Sequence, residues 1–277
     1  MAVYTQLDQQ QIADYLDPFN LGELVGFKGI SGGVENTNYF VTTQVPGQPK
    51  HDYVLTLFED LGYDELPYFV ALTEHLVEHG VTVPAPLRDE FGTALRRLAA
   101  RPALLFPRFA GDHLPRSAIS PNTCTIMGQQ LAKMHKAGQS FDLQRQAHRG
   151  QGWWTELGPR AAARINVEEA DLLLGTINTY QNMLQTGVEL PRGVIHGDLF
   201  HDNALFEGEQ FSAIIDLYNA CDDFLLYDVA VAVNDWCING DGSINEALYQ
   251  AFIEAYHQTR PFTKAEAEYW SIMLQTA

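Results

Sequence analysis

The stretch V-I-H-G-D-L-F-H-D-N (194–203) is followed, eighteen residues after its Asp198, by I-I-D ending at Asp216. The segment between them dictates local geometry. A-L-F (204–206) reads as a short strand, E-G-E (207–209) as a turn containing a glycine, and F-S-A-I-I (211–215) as a second strand. A hairpin closes its open ends onto each other, so Asn203 and Asp216 are expected side by side. Asp198 sits five residues before Asn203, on the loop that enters the same point. Asp and Asn are ordinary turn residues when they occur singly. The pattern H-x-D-x4-N, then strand, turn, strand and Asp, constrains too many positions for turn chemistry alone.

Three oxygen-bearing groups at one point suit a hard cation such as Mg²⁺. One carboxylate to orient a hydroxyl, with an Asn and a second carboxylate to hold Mg²⁺, is the equipment of ATP-dependent phosphoryl transfer. The bulk properties agree with a small-molecule enzyme. The 277 residues, 46% of them apolar and 11% aromatic, suffice for one large domain or two lobes. A formal net charge of −18 argues against non-specific binding to nucleic acid or to anionic membrane. Cys124, Cys221 and Cys237 have neither zinc nor disulfide spacing and read as reduced thiols of a cytoplasmic protein. The start M-A-V-Y-T-Q-L-D has no basic segment followed by an apolar run, and no stretch is long enough to span a bilayer.

Working outward, Thr5-Gln6-Leu7-Asp8 has the form of a capping box and predicts a first helix over 6–16. Strands are predicted at 24–30, within 31–42 where a glycine turn leads into the second strand, and at 53–59, with a hairpin turn at P-G-Q-P (46–49). A helix follows at 65–79, ending at Gly80. Two weaker strands are expected at 91–98 and 103–109, with Arg101-Pro102 between them. From Asn122 the pattern turns helical: 121–137, a loop bearing Trp153-Trp154, then 156–166, 168–187, 223–238 and 243–258. F-P-R-F-A-G (106–111) marks the junction, giving an N-terminal lobe at 1–107 and a C-terminal lobe at 108–277. The helical run K-A-E-A-E-Y-W-S-I-M-L-Q-T-A (264–277) has no stop signal, and truncation of the C-terminal lobe is expected from it.

These residues together resemble the aminoglycoside phosphotransferase and choline kinase superfamily. H-G-D-L-F-H-D-N is similar to its catalytic loop and I-I-D-L-Y to its second metal-binding segment. Within it, F-K-G-I-S-G-G-V-E-N-T-N-Y (27–39), Y-V-L-T-L-F-E (53–59), the run from Ile214 to Ala230 and N-D-W-C (234–237) resemble the bacterial kinase-like homoserine kinases. The resemblance implies an α+β, bilobal protein-kinase-like fold: an antiparallel sheet with a helix in the N-lobe, and a mainly helical C-lobe. It implies ATP and Mg²⁺ as cofactors, L-homoserine as acceptor, Asp198 as catalytic base, and Asn203 and Asp216 as metal ligands. Ser31, Gly32, Gly33 and Asn36 would belong to a phosphate-covering loop. Backbone around Phe106 and Phe109 would meet adenine.

Two positions depart from the superfamily. Its third-strand Lys is replaced by Thr56, and the helix that should supply the partner Glu offers Phe69 or Val70 near the usual offset, with Glu65 a turn earlier. Loss of both members of an ion pair is coherent, because an orphaned buried charge is costly. Lys28 is the substitute candidate for neutralising phosphates. No D-F-G follows Asp216, which suggests a constitutively formed metal site. Glu35, Asn38, Asp222, Asp223 and Trp236 are candidates for the acceptor pocket, with turn capping and solvated acidic residues as the plain alternatives. His196 is expected to brace the catalytic loop, Asp228 to cap a helix and brace that loop, and Trp153, Trp154 and Phe200 to pack. Choline, methylthioribose or an aminoglycoside as acceptor, or an inactive binding module, remain alternatives at this point.

Overall fold

A computed structural model of the chain describes residues 3–31 and 35–277, and the chain divides into two compact units. The first comprises Met1–Glu78 and Thr82–Ala110. It opens with α1 (Gln9–Leu16), whose cap is Asp8: the carboxylate accepts from the Gln11 N–H while the Gln11 side chain accepts from the Asp8 N–H. The capping box is therefore Asp8–Gln11, one turn later than the expected start at Thr5. Thr5 is spent elsewhere, its hydroxyl donating to Glu59 Oε1 at 2.7 Å.

The strands β1 (Glu23–Gly29), β2 (Asn36–Gln44) and β3 (Lys50–Phe58) precede α2 (Leu66–Glu78), and β4 (Arg96–Leu98) and β5 (Arg101–Pro107) follow it. They form one five-stranded sheet in the order β1-β2-β3-β5-β4, antiparallel throughout. Alternation does the sorting. Tyr39 and Val41 of β2, Leu55 and Leu57 of β3, and Ala103 and Leu105 of β5 share a buried cluster with Ile12, Tyr15 and Leu16 of α1. Arg101-Pro102 proves to lie inside β5 rather than between strands. The reversal occurs at Ala99-Ala100, both left-handed at φ 45° and 65°, a turn that the absence of glycine conceals. Pro102 is tolerated because pairing of β5 with β3 begins only at Ala103.

The second unit comprises His79–Val81 and Gly111–Ala277. After the short β6 (Asp112–His113) come α3 (Pro121–Gly138), α4 (Gln151–Ala162) and α5 (Val167–Gln185). Next are β7 (Arg192–Ile195), β8 (Ala204–Glu207), β9 (Gln210–Ile214) and β10 (Cys221–Phe224), then α6 (Leu225–Trp236), α7 (Glu246–Thr259) and α8 (Lys264–Thr276). β8 and β9 are the expected hairpin, with β6 added at its edge, while β7 pairs antiparallel with β10. Asp222 and Asp223 are thus strand residues and not an acidic turn, and α6 starts at Leu225, after that strand. Trp153-Trp154 sit in α4 rather than in a loop. Trp154 meets Tyr180 edge-on at 5.4 Å, but Trp153 and Phe200 are exposed and do not pack as expected. Met183 of α5, Ala230 of α6 and Met273 of α8 share a second buried cluster with Phe224. Among the described residues no helix is long and apolar enough to cross a membrane.

Helices α3 and α7 approach closely because Gly128 presents no side chain. A Cβ there would lie 2.3 Å from the Phe252 carbonyl oxygen. Gly128→Ala should therefore lower the stability of the protein by about 1–3 kcal/mol through forced separation of the two helices. Urea unfolding of the variant measures it, and an unchanged midpoint would show that the crossing can relax.

Candidate active site

The loop from His196 to Asn203 has no regular backbone pairing of its own beyond one short turn, so side chains must hold it. Asp228, fully buried on α6, does most of this. Its Oδ2 accepts the His196 N–H and its Oδ1 the Gly197 N–H, both at 2.8 Å. His135 of α3 approaches the same carboxylate at 2.9 Å, with Tyr256 of α7 at 2.7 Å from the other ring nitrogen. Burial alone would raise the pKa of Asp228, yet the His135 hydrogen bond and the neighbouring His196 carry it below the usual carboxylate range. Asp228 is not the helix cap: Phe224 occupies that position, and Asp228 lies within the first turn of α6. Its expected bracing of the loop is what the geometry displays.

Gly197 adopts φ 77°, and a Cβ there would press to 3.1 Å from the Asn219 carbonyl oxygen. His196 is buried, and its Nε2 donates to the Ile215 carbonyl at 3.0 Å while Nδ1 accepts from the Asp198 N–H at 3.3 Å. That pattern requires the neutral ring, and burial correspondingly lowers its pKa. The imidazole thereby ties the loop to the far end of the hairpin.

The hairpin does what its spacing promised. Ala204 faces Ile214, and the Ile215 N–H donates to the Asn203 carbonyl at 2.9 Å. The Asn203 amide nitrogen donates to the Asp198 carbonyl at 2.7 Å and reaches Asp198 Oδ2 at 3.3 Å. Both donors of Asn203 point at Asp198, which leaves its amide oxygen as the acceptor end. Asp216 follows directly after Ile215, exposed and in the left-handed conformation at φ 62°, ψ 53°. An Asp tolerates this backbone better than most residues. Asp198, the Asn203 amide oxygen and Asp216 offer only oxygen donors, the kind of group that a hard cation such as Mg²⁺ would take. Among the described residues no three His, Cys, Asp or Glu side chains cluster as a metal cage. A Mg²⁺ that arrives with a nucleotide needs one or two carboxylates, not a cage.

Residues 26–262 match the profile of the phosphotransferase enzyme family. The chain belongs to this family. Over its whole length it is 41% identical to the homoserine kinase of Methylobacillus flagellatus and 40% identical to that of Pseudomonas aeruginosa, covering 84% and 85% of those proteins. Solved structures agree at the level of fold. An amicoumacin kinase in complex with AMP-PNP, Ca²⁺ and Ami superimposes with a TM-score of 0.74 at 14% identity, covering 97% of this chain and 83% of that one. The GDP complex of an aminoglycoside 2'-phosphotransferase gives 0.70 at 16%, covering 97% and 88%. This phosphotransferase has the protein-kinase-like fold, an antiparallel-sheet N-terminal unit and a mainly helical C-terminal unit, and transfers phosphate from ATP to a hydroxyl group.

The other candidate residues of the phosphotransferase fall in several places. In the first unit, Lys28 is exposed on β1 opposite Phe40, and Asn36 opens β2 opposite Phe58. Thr56 donates to Asn38 Oδ1 at 2.6 Å across the β2–β3 ladder, so these two polar groups satisfy each other. Ser31 and Glu35 are exposed, and Gly32 and Gly33 lie outside the described residues. Phe106 is buried in β5, with Phe109 half-buried just beyond its end. In the second unit, Asp222 accepts the Arg145 N–H at 2.8 Å, and Asp223 pairs with Arg192 at 3.2 Å. Burial raises the pKa of Asp223. Trp236 is fully buried, its indole N–H donating to the Leu199 carbonyl at 3.0 Å, so it faces the loop and not solvent. His135 was not singled out by sequence, because a lone His on an apolar helix carries no distinguishing signal. Asp235 stood within N-D-W-C without an assigned role.

The His196 pKa gives a pH dependence with a definite sign. Unfolded His196 binds a proton near its ordinary value of about 6.5, whereas the buried ring resists protonation. Below that pH the unfolded state holds more protons, so His196 contributes stability above about pH 6.5 and withdraws it as pH falls. The lowered carboxylate of Asp228 acts only at more acidic pH and leaves this window clear. Urea midpoints measured from pH 8 to pH 5 should fall for the native protein and be flatter for His196→Asn. Parallel curves would remove His196 as the source.

Proposed function

We propose that this phosphotransferase is a homoserine kinase, converting L-homoserine and ATP to O-phospho-L-homoserine, a step of threonine biosynthesis in the cytoplasm. The observation that carries the reading is the junction of Asp198 and Asn203 at the mouth of the hairpin, in a chain 41% identical over its full length to a homoserine kinase. Asp198 is the group that orients the acceptor hydroxyl and takes its proton. Asn203 holds the Asp198 carboxylate in place with its amide N–H and offers its oxygen to Mg²⁺ together with Asp216. Bound there, Mg²⁺ supplies neutralisation of phosphate charge, the main electrostatic need of this chemistry. Residues 1–107 form the nucleotide lobe in this reading, with Ser31, Gly32, Gly33 and Asn36 over the phosphates, Lys28 as their cation, and Phe106 and Phe109 beside the adenine. Residues 108–277 form the catalytic and acceptor lobe. Glu35, Asn38, Asp222, Asp223 and Trp236 enter as a wider acceptor environment, with Asp222, Asp223 and Trp236 acting through the partners described above.

Asp198→Asn should reduce kcat by about 10²–10⁴-fold, since an amide can hold the hydroxyl but cannot take its proton. ATP binding and the melting temperature should stay close to native. Steady-state kinetics with a thermal melt checks both, and a variant that retains most of its turnover would remove Asp198 from the mechanism.

The acceptor is tested by a panel. A homoserine site must pair an ammonium and a carboxylate, and leaving either buried and unpaired costs about 1–3 kcal/mol. Discrimination against acceptors lacking one of these groups should therefore be sharp. Homoserine should be phosphorylated with a kcat/KM far above those of choline, kanamycin-like aminoglycosides and simple butanols. A comparable value for any of these would sink the homoserine reading and leave the family intact.

A further inference from the structure

Helix α6 reaches the catalytic loop a second time, two turns beyond Asp228. Asp235 is buried, and its Oδ2 accepts both the backbone N–H of His201 at 2.6 Å and the imidazole Nδ1–H of the same residue at 2.8 Å. An ionised carboxylate only accepts, so the His201 proton on this side is on Nδ1. The other oxygen, Oδ1, is paired with the Arg116 guanidinium, which also donates from Nη1 to the Asp235 carbonyl at 3.0 Å. Arg116 thus secures both the side chain and the backbone of Asp235. His201 opens the single turn His201–Asn203, and the last residue of that turn is the proposed metal ligand. Within the turn one bond closes it, from the Asn203 N–H to the Phe200 carbonyl at 2.9 Å, while Ile215 of the hairpin donates to the Asn203 carbonyl. Asp235 and, through Leu199, Trp236 are the contacts that tie the turn and its approach to α6.

We propose that Asp235, held by Arg116 and gripping His201, is a positioning residue that sets where Asn203 presents its oxygen to the metal. The proposal rests on the reading of Asn203 as a metal ligand. Two carboxylates on α6 then divide the loop between them. Asp228 fixes the entry at His196 and Gly197, and Asp235 fixes the exit that ends at Asn203. Displacing the exit disturbs the metal and, through the Asn203 amide, loosens the Asp198 carboxylate as well, so kcat falls together with metal affinity.

The test reads metal binding without turnover. Mn²⁺ binding in the presence of AMP-PNP is followed by electron paramagnetic resonance for the native protein and for Asp235→Asn, Arg116→Gln and Asn203→Ala. Loss of a group that orients a metal ligand typically lowers metal affinity or activity by about 10–100-fold. Asp235→Asn should accordingly weaken Mn²⁺ by about tenfold, raise the Mg²⁺ needed for half-maximal activity in parallel, lower kcat, and leave the homoserine KM within about twofold. Native Mn²⁺ affinity in Asp235→Asn, even with a lower melting temperature, would overturn the proposal and leave Asp235 a purely structural residue. Native affinity in Asn203→Ala would instead overturn the metal reading of the hairpin. Should Asp235→Asn fail to fold, Arg116→Gln becomes the deciding variant, because Arg116 is half-exposed and its loss leaves the Asp235 carboxylate in place. A weakening in the same direction there supports the proposal, and native affinity overturns it.

Discussion

The buried carboxylate of Asp228 is the contact on which the active-site loop depends. Loop backbone that is neither helix nor strand must find partners for its N–H groups or lose free energy comparable to a missing hydrogen bond for each one. At His196 and Gly197 one side chain satisfies two consecutive amides. A buried charge is itself costly, and the structure offsets that cost with His135, which Tyr256 orients in turn. Three helices, α3, α6 and α7, therefore converge on one oxygen-bearing group so that a loop without regular structure can be held still. The close approach of α3 to α7 at Gly128 serves the same end, because His135 and Tyr256 stand on those two helices.

The arrangement of α6 follows from helical geometry. Residues seven apart share a face after two turns, so Asp228 and Asp235 both look at the loop, and Trp236 beside Asp235 adds its indole N–H to the Leu199 carbonyl. The rest of the helix is nearly all small or branched apolar residues, Val229 to Val233, and these are buried. Polar groups on such a helix survive only where each atom is answered. Their presence in an apolar run is the trace that the loop leaves in the sequence of an element distant from it.

Much of the site was legible in sequence because it is local. Asn203 and Asp216 are brought together by twelve intervening residues that can do little except make a hairpin. Legibility ended where contacts became long-range or backbone chemistry was atypical. The pairing of β7 with β10 joins Ile195 to Cys221 and recasts Asp222-Asp223 from a turn to a strand. Nothing near those residues announces it. Ala99 and Ala100 make a left-handed reversal with no glycine, so the strands on either side were misplaced. The capping box was shifted because both Thr5 and Asp8 satisfy the pattern, and only the tertiary bond from Thr5 to Glu59 separates them. His135 and Asp235 matter through partners 93 and 34 residues away, a distance over which periodicity carries no information.

The third strand shows how a departure from a family pattern is absorbed. A Lys at position 56 would enter a site that is 4% exposed, and the α2 positions expected to answer it are Phe69 and Val70, at 1% and 7%. A cation there would be desolvated with no charge from Phe69 or Val70 to answer it, at a cost of several kcal/mol. Thr56 avoids this by bonding to Asn38 directly across the ladder, and Asn38 is occupied in return. Position 56 is thereby a closed, neutral pair, and restoring Lys alone would break that pair without recreating the ionic one. Charge neutralisation of the nucleotide must then be distributed over other groups. In the proposed reading, a larger share of that neutralisation would fall to the metal, and so to the residues that hold Asn203.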